Sequence, residues 1–196
     1  MKPKLLAVAA VLGLLAFLFW PRNNDLRHDV PSDVTACKRH MMAIYKGLTS
    51  RARTAEVDLS SGYGLVSSLI DDGIWKRTPE NRAMLTCPGP GADPMPEEAL
   101  VLPDTFGPEL TAYACRNMEA HPLAKFPSGG ESNEPLIACD NANGMNHDGV
   151  MNVLYTDGTI LTLHIDHEIE RGNLPAGTTM IEVGPNSPLE DLKKFE

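Results

Sequence analysis

The chain predicts an α+β fold: an N-terminal hydrophobic helix, then an amphipathic helix packed on a small antiparallel β-sheet. Three observations carry this reading. Residues 5–20 form one uninterrupted apolar run. Cys37, Met41, Ile44 and Leu48 recur at +4, +3 and +4, the spacing of one helical face. Val150 to Thr156 and Thr159 to Ile165 flank Asp157-Gly158, a favoured two-residue hairpin turn.

The apolar run follows Met1-Lys2-Pro3-Lys4 and ends at Trp20-Pro21. Sixteen helical residues reach about 24 Å, against a bilayer core of about 30 Å. Lys2 and Lys4 favour a cytoplasmic N-terminus, and Trp20 suits the interface. A cleaved signal peptide needs small residues after the run, but Phe17-Leu18-Phe19-Trp20 is bulky. Residues 1–21 are therefore expected to be an uncleaved signal anchor and transmembrane helix. The expected location is the inner membrane, single-pass, with the C-terminal domain periplasmic or extracellular.

Charge separates the two ends. Residues 1–22 hold three of the 17 basic residues and none of the 26 acidic ones, leaving the remainder at −12. A body this acidic repels nucleic acid, and no basic stripe offsets it.

Residues 22–31 read as a linker between Pro21 and Pro31. The body, 32–170, opens with a helix over about 33–53, with Ser32 as N-cap and Asp33 in the first turn. A short helix is expected over 64–72, stopped by Gly73, and another start at Thr78-Pro79-Glu80. Residues 88–108, rich in Pro, Gly and acid, read as a surface loop. Leu110–Arg116 and Pro135–Cys139 read as strands ahead of the hairpin. In the hairpin's second arm Leu161, Leu163 and Ile165 alternate with Thr162 and His164, giving one buried and one wet face. The tail, 171–196, carries Ser187-Pro188-Leu189-Glu190, a capping box with Pro at N1. It predicts a last short helix on whose face Leu189, Leu192 and Phe195 would meet.

Cys37, Cys87, Cys115 and Cys139 are an even number in a chain expected to be exported, which suggests two disulfides. Four cysteines allow three pairings, and the sequence alone does not choose. Cys37–Cys87 with Cys115–Cys139 is the expectation, the second pair joining neighbouring strands. No two lie at Cys-x-x-Cys spacing, which argues against zinc.

The run Asn146-His147-Asp148-Gly149 through Thr156-Asp157-Gly158 places nine residues between His147 and Asp157-Gly158. It resembles the His-then-Asp-Gly hairpin signature of bacterial type IV pilin and type II secretion pseudopilin-like proteins. Ala36-Cys37-Lys38 through Ile44 resembles that group's first ectodomain helix. Leu85-Thr86-Cys87-Pro88-Gly89 resembles its Cys-Pro segment, Thr111-Ala112-Tyr113 the strand after it, and Pro135 to Asp140 the strand before the His motif. The matches keep the family's order from about 36 to 165. The resemblance implies a helix on an antiparallel sheet and a non-enzymatic structural or assembly role. Its partners would be other pilin-like or secretion-system subunits, with membrane contact through residues 5–20. His147, Asp157 and Gly158 would be structural motif residues. One departure is clear: prepilins carry a Gly-ended leader and a glutamate beside the apolar helix, and here Lys4 runs straight into Leu5-Leu6. The resemblance therefore implies a derived, tethered pilin-like domain.

Other sites are weighed against plainer readings. No catalytic motif is recognisable: Ser60-Ser61-Gly62-Tyr63-Gly64 lacks the Lys of a phosphate loop, and there is no Gly-x-Ser-x-Gly or His-Glu-x-x-His. No cofactor is expected beyond calcium. For that ion Asp140, Asn143, His147 and Asp148 offer donors, within a loop that also holds Asn141 and Asn146. The plainer reading of this loop is Asn and Asp side chains bonding their own backbone, and EF-hand spacing is absent. His147 is expected to fix its loop by a hydrogen bond. In a strand, His164 and Asp166 would share a face and His167 would point away, so no shared site is expected there.

Overall fold

A computed structural model describes residues 31–54, 59–91, 111–128, 133–141 and 144–193. These belong to one compact unit, Pro31–Glu196. The expected anchor, nearly all of the linker and residues 92–110 lie outside the described residues. Among the described residues no helix is long and apolar enough to cross a membrane.

Helix α1 spans Ser32–Thr54. Its stripe is as the periodicity predicts: Val34, Cys37, Met41, Ile44 and Leu48 are all buried, at 1% exposure or less. Each fully buried aliphatic side chain of this kind contributes about 1.5–3 kcal/mol over leaving it exposed. Helix α2, Gly64–Asp71, buries Leu65, Val66, Leu69 and Ile70. It stops where Gly73 takes φ +70°, a conformation that favours glycine. Helix α3, Pro79–Ala83, is capped by Thr78, whose hydroxyl accepts the Asn81 N–H at 3.3 Å.

The strands are β1 (Ala114–Arg116), β2 (Pro135–Ala138), β3 (Asp140–Asn141), β4 (Gly144–Met145), β5 (Val150–Tyr155), β6 (Ile160–His164) and β7 (Leu192–Lys193). Five form one antiparallel sheet in the order β6-β5-β2-β1-β7, and β3 and β4 pair separately. This is an α+β domain. Helix α1 packs against β5 and β6, and α2 against α1 and β1. Leu174, Ile181, Val183 and Leu189 of the long C-terminal segment join the same buried cluster.

The hairpin turn forms as predicted, with Gly158 at φ +87° and Asp157 Oδ1 accepting the Thr159 N–H at 2.8 Å. The expected buried face of its second arm does not: Leu161 is exposed and the rest of β6 is half-buried. The turn also docks on α1. The Tyr45 hydroxyl donates to the Thr156 carbonyl at 3.3 Å, and a Cβ at position 158 would lie 2.8 Å from the Tyr45 ring.

Four further expectations are corrected. The strand expected over Leu110–Arg116 is only Ala114–Arg116 within the described part. Thr111 spends its hydroxyl on the Leu85 carbonyl and the Tyr113 N–H, which holds that stretch out of the ladder. The described part of the tail, to Lys193, forms no helix, and Phe195 of the expected helix lies outside the described residues. Ser187 Oγ accepts the N–H of Leu189, making a local turn, and Leu192–Lys193 becomes β7 beside β1. An isolated helix of so few residues is poor in water, whereas β1 offers an open edge. The tail thus belongs to the body. The third correction falls at the hairpin's end: β6 stops at His164 and helix α4, Ile165–Glu170, follows. His164 and His167 then lie side by side, ring centres 5.1 Å apart and planes tilted by 44°, instead of pointing to opposite faces.

The fourth correction concerns the cysteines. All four are free and buried, and neither expected disulfide forms. In the β1–β2 register Cys115 stands opposite Ile137, not Cys139. Cys139 turns instead towards Cys37 and Cys87.

Candidate functional site

Four side chains from separate parts of the chain converge between α1 and the sheet. Cys37, Cys87, Cys139 and His147 each bring one donor atom, and these atoms all lie within 4.8 Å of one another. Exposures of 0%, 5%, 1% and 1% put the group inside the protein, closed to a substrate.

Each donor is placed by local structure. Cys37 lies on the buried stripe of α1. Cys87 follows α3 on a segment pinned at two carbonyls: Leu85 accepts from the Thr111 hydroxyl at 2.8 Å, and Thr86 from the Tyr113 hydroxyl at 3.0 Å and from His40 Nδ1 at 3.1 Å. In the next residues, Pro88-Gly89-Pro90-Gly91, the two glycines press on the backbone of Met145 and Asn146. A Cβ at Gly89 would come within 2.1 Å of the Asn146 carbonyl oxygen, and one at Gly91 within 2.1 Å of that of Met145. Only glycine permits this approach, which seats Cys87 against His147. The Gly91 N–H also donates to the Asn146 carbonyl at 3.0 Å. At the start of the expected surface loop only Gly89 is buried, while Pro88, Pro90 and Gly91 are exposed.

Cys139 follows β2, and its sulfur accepts the Asn152 N–H at 3.0 Å. The Gly89 N–H donates to Cys87 Sγ at 3.4 Å. His147 precedes the Asp148-Gly149 turn and bridges to Val150, with Gly149 at φ +65°. Its Nε2 lies 3.1 Å from Cys87 Sγ, and its Nδ1 donates to Asp33 Oδ2 at 2.6 Å. Buried Asn152 completes the frame: Nδ2 donates to the Val34 carbonyl at 3.2 Å, and Oδ1 accepts from Thr162 at 2.8 Å.

The electrostatics follow from this crowding. Hydrogen bonds from Cys139 and Cys87 hold the Cys37 thiol well below its ordinary range, against the opposing effect of burial. Burial, the Cys37 and Cys87 hydrogen bonds and negative charge nearby push Cys139 well up. Burial opposes a charged His147. Hydrogen bonds to Cys37 and Cys87, the Cys87 charge and Asp33 outweigh it and raise the group to about 10. Burial also works against the Asp33 carboxylate, yet its bond to His147 and backbone donors hold it low. Cys115 stands apart, its thiol pushed up by burial alone.

Of the residues expected to bind calcium, the side chains of two, His147 and Asp148, are described. His147 is buried among the thiols while Asp148 is exposed. Asn143 lies outside the described residues, as does the side chain of Asp140. His147 does make a positioning hydrogen bond, but to the first turn of α1. Sequence spacing missed the thiol group because its members come from three regions far apart in the chain, at 37, 87 and 139–147. Two signals were present: Cys139 and His147 flank the β3–β4 pair, and Cys87 opens a Pro-Gly-Pro-Gly segment.

The fold and site together define a helix-on-sheet α+β domain with an internal Cys₃His donor group. No protein-family model, curated protein or solved structure matches the chain.

Proposed function

We propose that this is a non-catalytic, pilin-like envelope protein, tethered through residues 5–20. It would serve as a structural or assembly component of a type II secretion or type IV pilus-like system. The observation that carries the reading is the register between α1 and the His147-to-Gly158 hairpin. Asp33 meets His147 at one end, and Tyr45 meets the Asp157-Gly158 turn at the other. Twelve helical residues rise about 18 Å, and the six residues of β5 cover about 20 Å. The two motif ends thus clamp the helix along the sheet, which gives the nine-residue spacing a mechanical purpose. The closed Cys/His group supports a structural role in the same way.

The docking edge for a partner would be β6, the outer strand, where Leu161 is 44% exposed. The test is fractionation of the source cells with a photocrosslinking residue at position 161. The expected result is membrane association and crosslinks to other envelope proteins. Recovery of the full chain in the cytosol alone, without crosslinks, overturns the proposal.

A further inference from the structure

We propose that Cys37, Cys87, Cys139 and His147 are the four ligands of one structural zinc ion, with Asp33 as the carboxylate that orients the histidine. The envelope role above is not needed for this inference.

The donor set is the first argument. Three sulfurs and an imidazole nitrogen are soft to borderline ligands, and Cys₃His is a recurring structural zinc set. Geometry is the second. A tetrahedron with bonds of about 2.3 Å to sulfur and about 2.0 Å to nitrogen has edges of roughly 3.5–3.8 Å. The 4.8 Å limit on all donor separations leaves room for that and for a single ion. The surroundings are the third. A zinc-bound histidine donates its other ring N–H to a carboxylate or carbonyl, which fixes its tautomer. His147 does so: Nε2 faces the sulfurs and Nδ1 donates to Asp33. Two backbone N–H groups, of Gly89 and Asn152, already aim at Cys87 and Cys139 sulfur, as they would to stabilise bound thiolates.

A disulfide accounts for less. It would use two of the three thiols and leave the third and the imidazole buried without a purpose. A calcium ion prefers oxygen, and this enclosure presents none from its four donors. Four buried protein ligands also leave no open position for a substrate water, so the ion is structural.

The test uses the full chain, solubilised in detergent, reduced, and reconstituted with zinc or cobalt. One zinc per chain should survive gel filtration, and X-ray absorption should give three sulfurs and one nitrogen around it. Cobalt should show the intense absorption of tetrahedral thiolate coordination. Cys139→Ser should abolish stoichiometric binding, and Cys115→Ser should leave it intact. Because Cys139→Ser could simply unfold the chain, His147→Cys provides a second arm. It should keep one zinc and change the first shell to four sulfurs. No binding tighter than about 1 μM to the reduced full chain overturns the proposal. So does loss of metal in Cys115→Ser equal to that in Cys139→Ser, or a first shell unchanged by His147→Cys.

Discussion

Two regions of the molecule tie distant parts of the chain together inside the protein, and they do so with opposite chemistry. One is the Cys37/Cys87/Cys139/His147 group. The other is Arg116 on β1, 3% exposed. Its Nε donates to the His121 carbonyl at 2.7 Å and its Nη1 to the Pro135 carbonyl at 3.0 Å. Nη1 also reaches Asp191 at 3.1 Å, Nη2 meets Glu134, and His121 Nδ1 lies 3.2 Å from Asp191. The cation, its counter-charges and its hydrogen-bond acceptors all belong to the chain, so the Arg116 region is complete in itself. The thiol group gathers donors that repel one another once ionised, and it draws its cohesion from an added cation. A chain can thus be closed by its own charges or by a borrowed ion, and this one uses both.

The largest predicted effect breaks the comparison outright. Structural zinc contributes apparent binding free energies of roughly 10–16 kcal/mol in small folded units. Chelation of the reduced protein should therefore lower its Tm more than any single substitution below, and acidification to about pH 5 should release the ion by protonating the thiolates. An unchanged Tm after chelation would make the two regions alike. Second in size is Arg116→Ala, which removes the cation shared by Glu134 and Asp191. Breaking a fully buried pair costs about 3–5 kcal/mol, and with each carboxylate 26% exposed the loss should fall below that range. A denaturant titration should show this loss equally with and without added zinc.

Asp33→Ala comes next. Loss of an orienting carboxylate typically weakens metal binding 10–100-fold, readable by competition with a chromophoric chelator. Fold stability at saturating zinc should barely change, which sharpens the difference between holding the ion and holding the chain. The smallest effect is expected of Gly158→Ala. Its φ of +87° and the Tyr45 ring in the path of a Cβ should cost about 1–2 kcal/mol by thermal denaturation, with zinc content unaltered.

These regions were not equally legible in the sequence. The α1 stripe and the Asp157-Gly158 turn were, because they depend on helical periodicity and turn chemistry within a dozen residues. The alternation in β6 misled, since that strand lies at the sheet's edge with Leu161 exposed. The tail was misread for a physical reason: a capping box is a local preference, and an unpaired strand edge at β1 outweighed it. The thiol group was misread because zinc was sought at Cys-x-x-Cys spacing, whereas here the sheet and the helix do the gathering. Asp33 read as a first-turn helix residue, and nothing local marked it as the partner of His147. The same holds for Arg116, whose partners at 134 and 191 are joined only through β2 and β7. The resemblance to pilin-like proteins brought out His147 and Gly158 as a pair, and the clamp on α1 supplies a reason for their separation.

The order of the ligands along the chain sets a timetable for synthesis. Cys87 and His147 are 60 residues apart. At 5–20 residues per second the ribosome needs roughly 3–12 s to pass from one to the other. Through that interval Cys37 and Cys87 exist as thiols without their enclosure, open to oxidants and to premature pairing. Only after residue 147 has been made does the nascent chain contain all four donors. Metal loading is therefore a late event in the life of each molecule, and the compartment that receives the finished chain decides whether ion or oxidant arrives first.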